Sequence, residues 1–326
     1  MRKICVTGAD GFIGKSICKA LIESNTSVRG LVRDLSISKN LSNIEFMPVG
    51  DIGIKKNFKD ALVDVDCVIH CAGRAHVMNE TKVDALKIYR SVNVNGTKQI
   101  AEQAAEAGVK RLVFLSSVKV NGEDTLENYR NINLNNKKKY IFTHNDVPNP
   151  ANPYAISKFE AEQELWNISL MTGLEVTIIR LPLVYGYGVK GNFSRLIQLV
   201  QSGIPLPLGG LQNQRSLIGI DNLIDLLTQC INHPEAGGKT FLVSDGVDLS
   251  TPDLLNHIAS AMSCSARLFP VPRSVLKLFG FIIRKQSEMQ RLIGSLRVDI
   301  NYTKKILNWR PPVSVEDSFK RMFQSK

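Results

Sequence analysis

The sequence predicts an α/β fold, a doubly wound parallel sheet with a smaller mixed α/β domain, and three observations carry that prediction. Five short apolar runs, Lys3 to Thr7, Val28 to Val32, Ile44 to Pro48, Cys67 to His70 and Arg111 to Ser116, alternate with helical patterns, which is the rhythm of βαβ units. The first run leads straight into Gly8-Ala9-Asp10-Gly11-Phe12-Ile13-Gly14, three glycines at three-residue spacing between a strand and a helix. Beyond Gly186 the elements become irregular. With 326 residues the chain exceeds the usual size of a single core. The expected division is 1–185 for the sheet domain and 186–326 for a smaller substrate-binding domain, with segments interleaved between them.

Taken in order, the N-terminal strand and its loop read as a Rossmann-like cradle for a dinucleotide phosphate. Gly8 allows the tight turn, Gly11 lets the backbone approach the pyrophosphate, and Gly14 lets the helix pack on the strand. The free N–H groups at the helix start, around Phe12 and Ile13, face the phosphate charge. A second strand-like run, Val28 to Arg33, follows at the spacing the motif requires. Ala101 to Gly108 reads as a helix ended by glycine that feeds the strand Val109 to Leu115. From Glu123 to Pro150 Asn, Lys and Pro displace any period, so this stretch is a surface loop, either a lid over the cleft or a tolerated insertion. A helix resumes at Tyr154 to Met171, then a buried strand at Glu175 to Ile179. A helix at Phe193 to Gln201, a loop with Pro205 and Pro207, and a helix at Asn222 to Ile231 follow.

Composition narrows the function classes. The net charge is +11 and 44% of residues are hydrophobic. The basic residues are dispersed, with no recognition helix and no aromatic-basic stripe, which argues against nucleic acid and for an anionic small substrate. The apolar runs are too short to span a bilayer and the N-terminus does not read as a signal peptide, so a cytoplasmic enzyme is expected. The six cysteines, Cys5, Cys18, Cys67, Cys71, Cys230 and Cys264, have neither metal-ligand nor disulfide spacing and read as small core residues in a reducing compartment. No metal is expected. Arg267 to Arg297 carries seven Lys/Arg against the single acid Glu288, around the apolar run Val275 to Ile283. It reads first as a core helix of the second domain with a solvated basic face, and second as a membrane-surface helix of weak affinity.

Tyr154 and Lys158, four residues apart, share one helix face. A free phenol, with pKa near ~10, is a poor base at neutral pH. An adjacent ammonium and an oxidised nicotinamide together lower it by an expected ~3 units. A phenol so tuned can exchange the proton of a sugar hydroxyl while hydride moves at the same carbon.

The glycine cradle, Ser117 at a strand end, and Tyr154/Lys158 together resemble the extended short-chain dehydrogenase/reductase superfamily over nearly the whole chain. Val68-Ile69-His70-Cys71-Ala72-Gly73 is similar to its fourth-strand cofactor loop, Gly50-Asp51-Ile52 to its adenine contact, and Asn93-Val94-Asn95-Gly96-Thr97 to its central-helix motif. Arg180 to Gly186, Arg215 to Leu223 and Leu307-Asn308-Trp309 with Pro311 also match. The resemblance implies cofactor contacts at Gly8, Gly11, Phe12, Ile13, Gly14, Arg33, Asp51, Ile52, Ala72, Gly73, Asn93, Tyr154, Lys158 and Pro182. It implies Ser117, Tyr154 and Lys158 as the catalytic set: Ser117 on the reacting C4 oxygen, Tyr154 as acid/base, and Lys158 on the nicotinamide ribose. Substrate contacts are implied at His76, Ser117, Tyr154, Asn192 and Arg215, with Asn192 and Arg215 on the nucleotide diphosphate. A homodimer is implied as well.

Within the superfamily the chain resembles the NAD-dependent epimerase/dehydratase branch that acts on UDP-sugars. Sugar dehydratases carry an acidic pair where this sequence has Val118-Lys119, so dehydration is not expected. Leu183 stands where many members carry a substrate-contacting Asn, and Pro182 is similar to reductase-like members. These residues, with His76 to Glu80 and Ser116 to Gly122, look most like bacterial 4-reductases of UDP-4-keto-6-deoxy-N-acetylhexosamines, which serve surface polysaccharide synthesis. The alternative is 4-epimerisation of UDP-glucose or UDP-N-acetylglucosamine, and the third reading is a non-catalytic NAD(P)-binding regulator. After the second strand Arg33 suits the 2′-phosphate of NADP, while Asp34 suits the ribose of NAD.

Overall fold

A computed structural model of the chain describes residues 2–35, 43–75, 84–125, 141–282 and 286–324, without the side chains of residues 192, 287 and 288. Its frame is a seven-stranded sheet in the order β3-β2-β1-β4-β5-β6-β9. The strands are β1 (Lys3–Thr7), β2 (Ser27–Val32), β3 (Glu45–Pro48), β4 (Cys67–His70), β5 (Arg111–Ser117), β6 (Glu175–Leu181) and β9 (Lys239–Leu242). Every pairing in it is parallel. Parallel strands need crossovers that cover both faces, so they read as continuous apolar runs. β1 illustrates this. Ile4 and Val6 pack with Ile17, Leu21, Leu223 and Leu227 on one face, whereas Cys5 joins Val68, Ile100, Leu112 and Leu165 on the other. Each fully buried Leu or Ile of these layers is worth ~1.5–3 kcal/mol.

The strand order reverses between β1 and β4. In open α/β sheets the crevice for ligands opens at the carboxyl ends of the strands at that point. The seventh strand comes from far along the chain. The helix Ile220–Asn232 buries Leu223, Leu226, Leu227 and Cys230 on the β1 face, and the chain then adds β9 beside β6.

A second sheet, β10-β8-β7, combines β7 (Leu183–Tyr185), β8 (Arg215–Gly219) and β10 (Asp248–Leu249). Two of its strands, of three and two residues, are too short to carry a readable period, which is why the sequence marks irregular structure there. Tyr185, Phe193 and Phe319 stack behind it, Tyr185 and Phe319 with centroids 4.6 Å apart. The helix Thr251–Ala261 closes this core and opens with a capping box between Ser250 and Asp253.

Three expectations are corrected. Cys264 is exposed, whereas Cys5, Cys18, Cys67 and Cys230 are core residues and Cys71 is half-buried. Within Glu123 to Pro150, residues 126–140 lie outside the described residues; residues 143–150 are irregular, with Val147 84% exposed, whereas the two ends nearest to 126–140 are anchored. Asp124, Thr125 and Phe142 are buried, because the Thr125 and Phe142 N–H groups donate to the carbonyls of Ser295 and Arg297 at 2.8 and 2.9 Å. The helix Arg273–Ile282 is a core helix on one face only: it buries Leu276 and Gly280 but leaves Val275, Leu278, Phe279, Phe281 and Ile282 exposed.

Candidate active site

The glycine loop after β1 has the shape a phosphate needs. Gly8 sits at φ +62°, and a Cβ on it would stand 3.0 Å from the Ala72 backbone. A Cβ on Gly14 would stand 2.1 Å from the Gly8 carbonyl oxygen, so only glycine lets the helix Phe12–Glu23 begin there. That helix has Gly11 at its N-cap and no side-chain cap, which leaves the first-turn N–H groups at Phe12 and Ile13 for an anion.

The loop after β4 is fixed by a hydrogen-bonded chain absent from the sequence reading. The Ala72 N–H donates to Thr7 Oγ1 at 3.0 Å, and Thr7 Oγ1 lies 2.7 Å from His70 Nδ1. His70 Nε2 lies 2.9 Å from Thr97 Oγ1, whose own hydrogen goes to the Asn93 carbonyl at 2.7 Å. Because that hydroxyl has one hydrogen, Nε2 must donate to it, and Nδ1 then accepts from Thr7. Burial pushes the His70 pKa down to about 3, so the ring is neutral. Asn93 lies in a π-helical turn, Arg90–Asn95, a geometry found mostly at functional sites. Its amide accepts from the Arg74 N–H at 2.8 Å and donates to Ser157 Oγ at 3.0 Å. A Cβ on Gly73 would stand 3.2 Å from Asn93 Oδ1 and 3.4 Å from Lys158 Nζ, so Ala72-Gly73 runs between cradle and lysine. An apolar strand ending in His was the available signal.

β5 ends at Ser117, opposite the helix Pro153–Thr172, which carries Tyr154 and Lys158 one turn apart. Asn152 caps that helix, accepting from the Ala155 N–H at 2.9 Å, a contact worth ~1 kcal/mol. The Tyr154 phenol faces Ser117, whose hydroxyl favours the phenolate. Lys158 is 6% exposed, donates to the Leu115 carbonyl at 2.8 Å and lies 4.4 Å from the centre of the Phe114 ring. Burial pushes the lysine down to about 8, against the opposing charge of Glu162. In the protein alone burial pushes Tyr154 up to about 12, and the neighbouring Ser117 only partly offsets it. The expected lowering relied on the charge of an oxidised nicotinamide as well as on Lys158.

Under this helix lies a second unanticipated network. Glu162, 2% exposed, accepts from Ser116 Oγ at 2.5 Å and from Arg180 Nε and Nη2 at 3.0 and 2.6 Å. Arg180 also donates to Asn121 at 3.1 Å. It ties β5, β6 and the catalytic helix together.

The remaining candidates are distributed around this centre. Arg33 and Asp34 are exposed just beyond β2, and Asp51 is exposed beyond β3 with Ile52 buried beside it. Pro182 is buried between β6 and β7. Arg215 opens β8 and donates to the Arg291 carbonyl. Burial pulls its guanidinium down while the charges of Asp124 and Glu123 act against that, so β8 and the segment after Ser117 meet at one mouth. Arg291, whose charge also reaches Arg215, was not anticipated. Asn192 begins the helix Asn192–Gln201, and its side chain, like all of His76, lies outside the described positions. Among the described residues no three His, Cys, Asp or Glu side chains gather as metal ligands.

A dinucleotide fits this arrangement: a cradle that a Cβ would fill, an uncapped helix N-terminus and a buried lysine beside Gly73. Residues 4–244 match the NAD dependent epimerase/dehydratase family. The chain belongs to that family. As an epimerase/dehydratase it is an NAD(P)-dependent enzyme. It is 41% identical over 326 residues to the UDP-glucose 4-epimerase of Vibrio cholerae, covering 99% of this chain and 95% of that one. Its fold is that of UDP-glucuronic acid 4-epimerase from Bacillus cereus, solved with UDP-glucuronic acid and NAD, at a TM-score of 0.77 and 21% identity over 98% of this chain and 97% of that one. UDP-glucose 4-epimerase of Thermotoga maritima, solved with UDP-glucose, matches at a TM-score of 0.75 and 20% identity, over 98% and 97% of the two chains.

Proposed function

We propose that this epimerase/dehydratase interconverts the C4 epimers of a UDP-hexose. The observation that carries the reading is the 41% identity, over 99% of the chain, to a UDP-glucose 4-epimerase, and it reverses the order in which the sequence motifs ranked reduction and epimerisation. The glycine cradle Gly8 to Gly14 and Lys158 beside Gly73 would hold the dinucleotide, whose nicotinamide would supply the acceptor and then the donor for the C4 hydride. Tyr154, as phenolate, removes the C4 hydroxyl proton and later gives it back. Ser117, beside the phenol, holds the C4 oxygen in line with it. Lys158 contributes a charge that favours phenolate, strengthened by its low-dielectric surroundings. Arg215 holds the diphosphate as a rigid donor fork. Dehydration is not supported: Val118 is buried and Lys119 is paired with Glu123 at 2.9 Å, where an eliminating site would need acids.

The 4-ketone reductase remains the second reading, on Pro182 and Leu183. A regulator without turnover would need the cradle but not Ser117 beside Tyr154. Incubating the purified enzyme with UDP-glucose, UDP-N-acetylglucosamine and a UDP-4-keto-6-deoxy sugar separates all three. Epimer without net cofactor consumption supports the proposal, net oxidation of NAD(P)H by the keto sugar supports the reductase, and binding without product supports the regulator. The reading takes the enzyme as a cytoplasmic homodimer with its substrate domain beginning near residue 186.

A further inference from the structure

We propose that the outer face of the helix Arg273–Ile282 is a docking surface for an anionic lipid bilayer. At about 100° per residue, Val275, Leu278, Phe279 and Ile282 form one stripe, with Phe281 beside it. These five are 51–66% exposed, whereas Leu276 on the opposite side is 3% exposed in the second core. The helix is therefore apolar on both faces, and only one of them has a partner within the described chain. That distinguishes it from the scattered exposed Leu or Val of any surface.

Charge selects the occupant. Lys277 is exposed and lies one turn before Phe281. Arg267 and Arg291 are exposed on the segments either side of the helix, and from Arg267 to Arg297 the sequence has seven bases and one acid. An apolar stripe flanked by cations is what an interfacial helix presents to lipid: rings and aliphatic chains enter the acyl boundary while ammonium and guanidinium groups meet the phosphates. A second copy of the chain fits worse. At ~150–200 Å² per large apolar side chain the exposed stripe is about 500 Å², short of the ~800 Å² per partner of a stable interface.

The neighbouring helix Gln286–Ile293 supplies the Arg291 carbonyl that holds Arg215. The docking face therefore adjoins the arm of the site assigned to diphosphate. The proposal itself does not depend on which sugar reaction the enzyme performs.

The test is co-sedimentation of the full chain with vesicles of phosphatidylcholine containing about 30 mol% phosphatidylglycerol, at about 0.1 M salt, against pure phosphatidylcholine. At least a five-fold excess of protein pelleted on the anionic vesicles is expected, falling in high salt. Phe279→Ser with Ile282→Ser should return it to the phosphatidylcholine level with unchanged melting temperature and turnover. Lys277→Glu, a surface change with no buried contact, should lower it at least two-fold and covers the case in which the double variant folds poorly. Equal pelleting on both vesicle types, or wild-type pelleting by both variants, overturns the proposal. So does a wild-type dimer in light scattering that the double variant dissociates.

Discussion

Glu162→Ala is the most informative single change, because it empties the centre of the network under the catalytic helix. Arg180 is 6% exposed and would lose both of its carboxylate bonds, at 3.0 and 2.6 Å. Ser116 would lose its acceptor. Leaving a buried charge without its partner costs ~3–5 kcal/mol. For 326 residues unfolding as one unit, an entropy of ~2.1 cal/mol/K per residue converts this to a melting-temperature drop of about 4–7 °C. Glu162→Met combined with Arg180→Met removes both charges and should be more stable than either single variant, since a buried pair is costly mainly when broken. Urea unfolding and calorimetry of the wild type, Glu162→Met, Arg180→Met and the double variant read these effects, beside Glu162→Ala. A second readout is functional: the charge of Glu162 raises the Lys158 pKa, which stands at about 8. Lys158 is charged below that value, so affinity for NAD should fall as pH rises through it, and Glu162→Gln should move the midpoint lower. A single-variant cost under ~1 kcal/mol, or effects that simply add in the double variant, would refute the reasoning.

Tyr154→Phe should lower turnover at least ~100-fold while leaving NAD binding nearly unchanged, measured by initial rates and fluorescence titration; near wild-type turnover with chemistry rate-limiting would contradict the acid/base role. His70 is held neutral with its pKa at about 3, against 6.5 ordinarily. The unfolded chain therefore takes up a proton that the folded one refuses, and stability is lost as pH falls below ~6.5 at about 1.4 kcal/mol per unit. His70→Asn should flatten that part of the acid denaturation profile, and identical slopes would dismiss the argument. Arg33→Ala should weaken use of NADPH by about 10- to 100-fold with little change for NADH if Arg33 meets a 2′-phosphate. A wild-type preference for NADH that the mutation leaves unchanged would favour NAD retained between the two hydride transfers.

The sheet was legible because fully buried parallel strands leave continuous apolar runs and because the cradle needs glycine for steric reasons: β1 and β4 fall where Lys3–Thr7 and Cys67–His70 place them. The pairing of Tyr154 with Lys158 was legible because it is local, one helical turn. What the sequence hid is long-range. β9 joins the sheet only after a crossover helix, and His70 finds Thr97 27 residues away. Glu162 on the catalytic helix meets Arg180 on β6. The raised Tyr154 pKa of the protein alone was hidden for a related reason: spacing announces the lysine, but burial is a property of the assembled fold. Likewise the hydrophobic run around Phe279 reads as core in one dimension, and only the packing reveals that Leu276 alone of its large apolar side chains is buried.

The central claim is that hydride leaves and returns at C4 of a nucleotide sugar with no net redox change. Incubating the purified enzyme with UDP-glucose deuterated at C4, without added reductant, and resolving the products by chromatography and mass spectrometry tests it directly. The account predicts the C4 epimer, UDP-galactose, with the deuterium still at C4. Absence of epimer together with stoichiometric oxidation of NAD(P)H by a UDP-4-keto-6-deoxy sugar would contradict it.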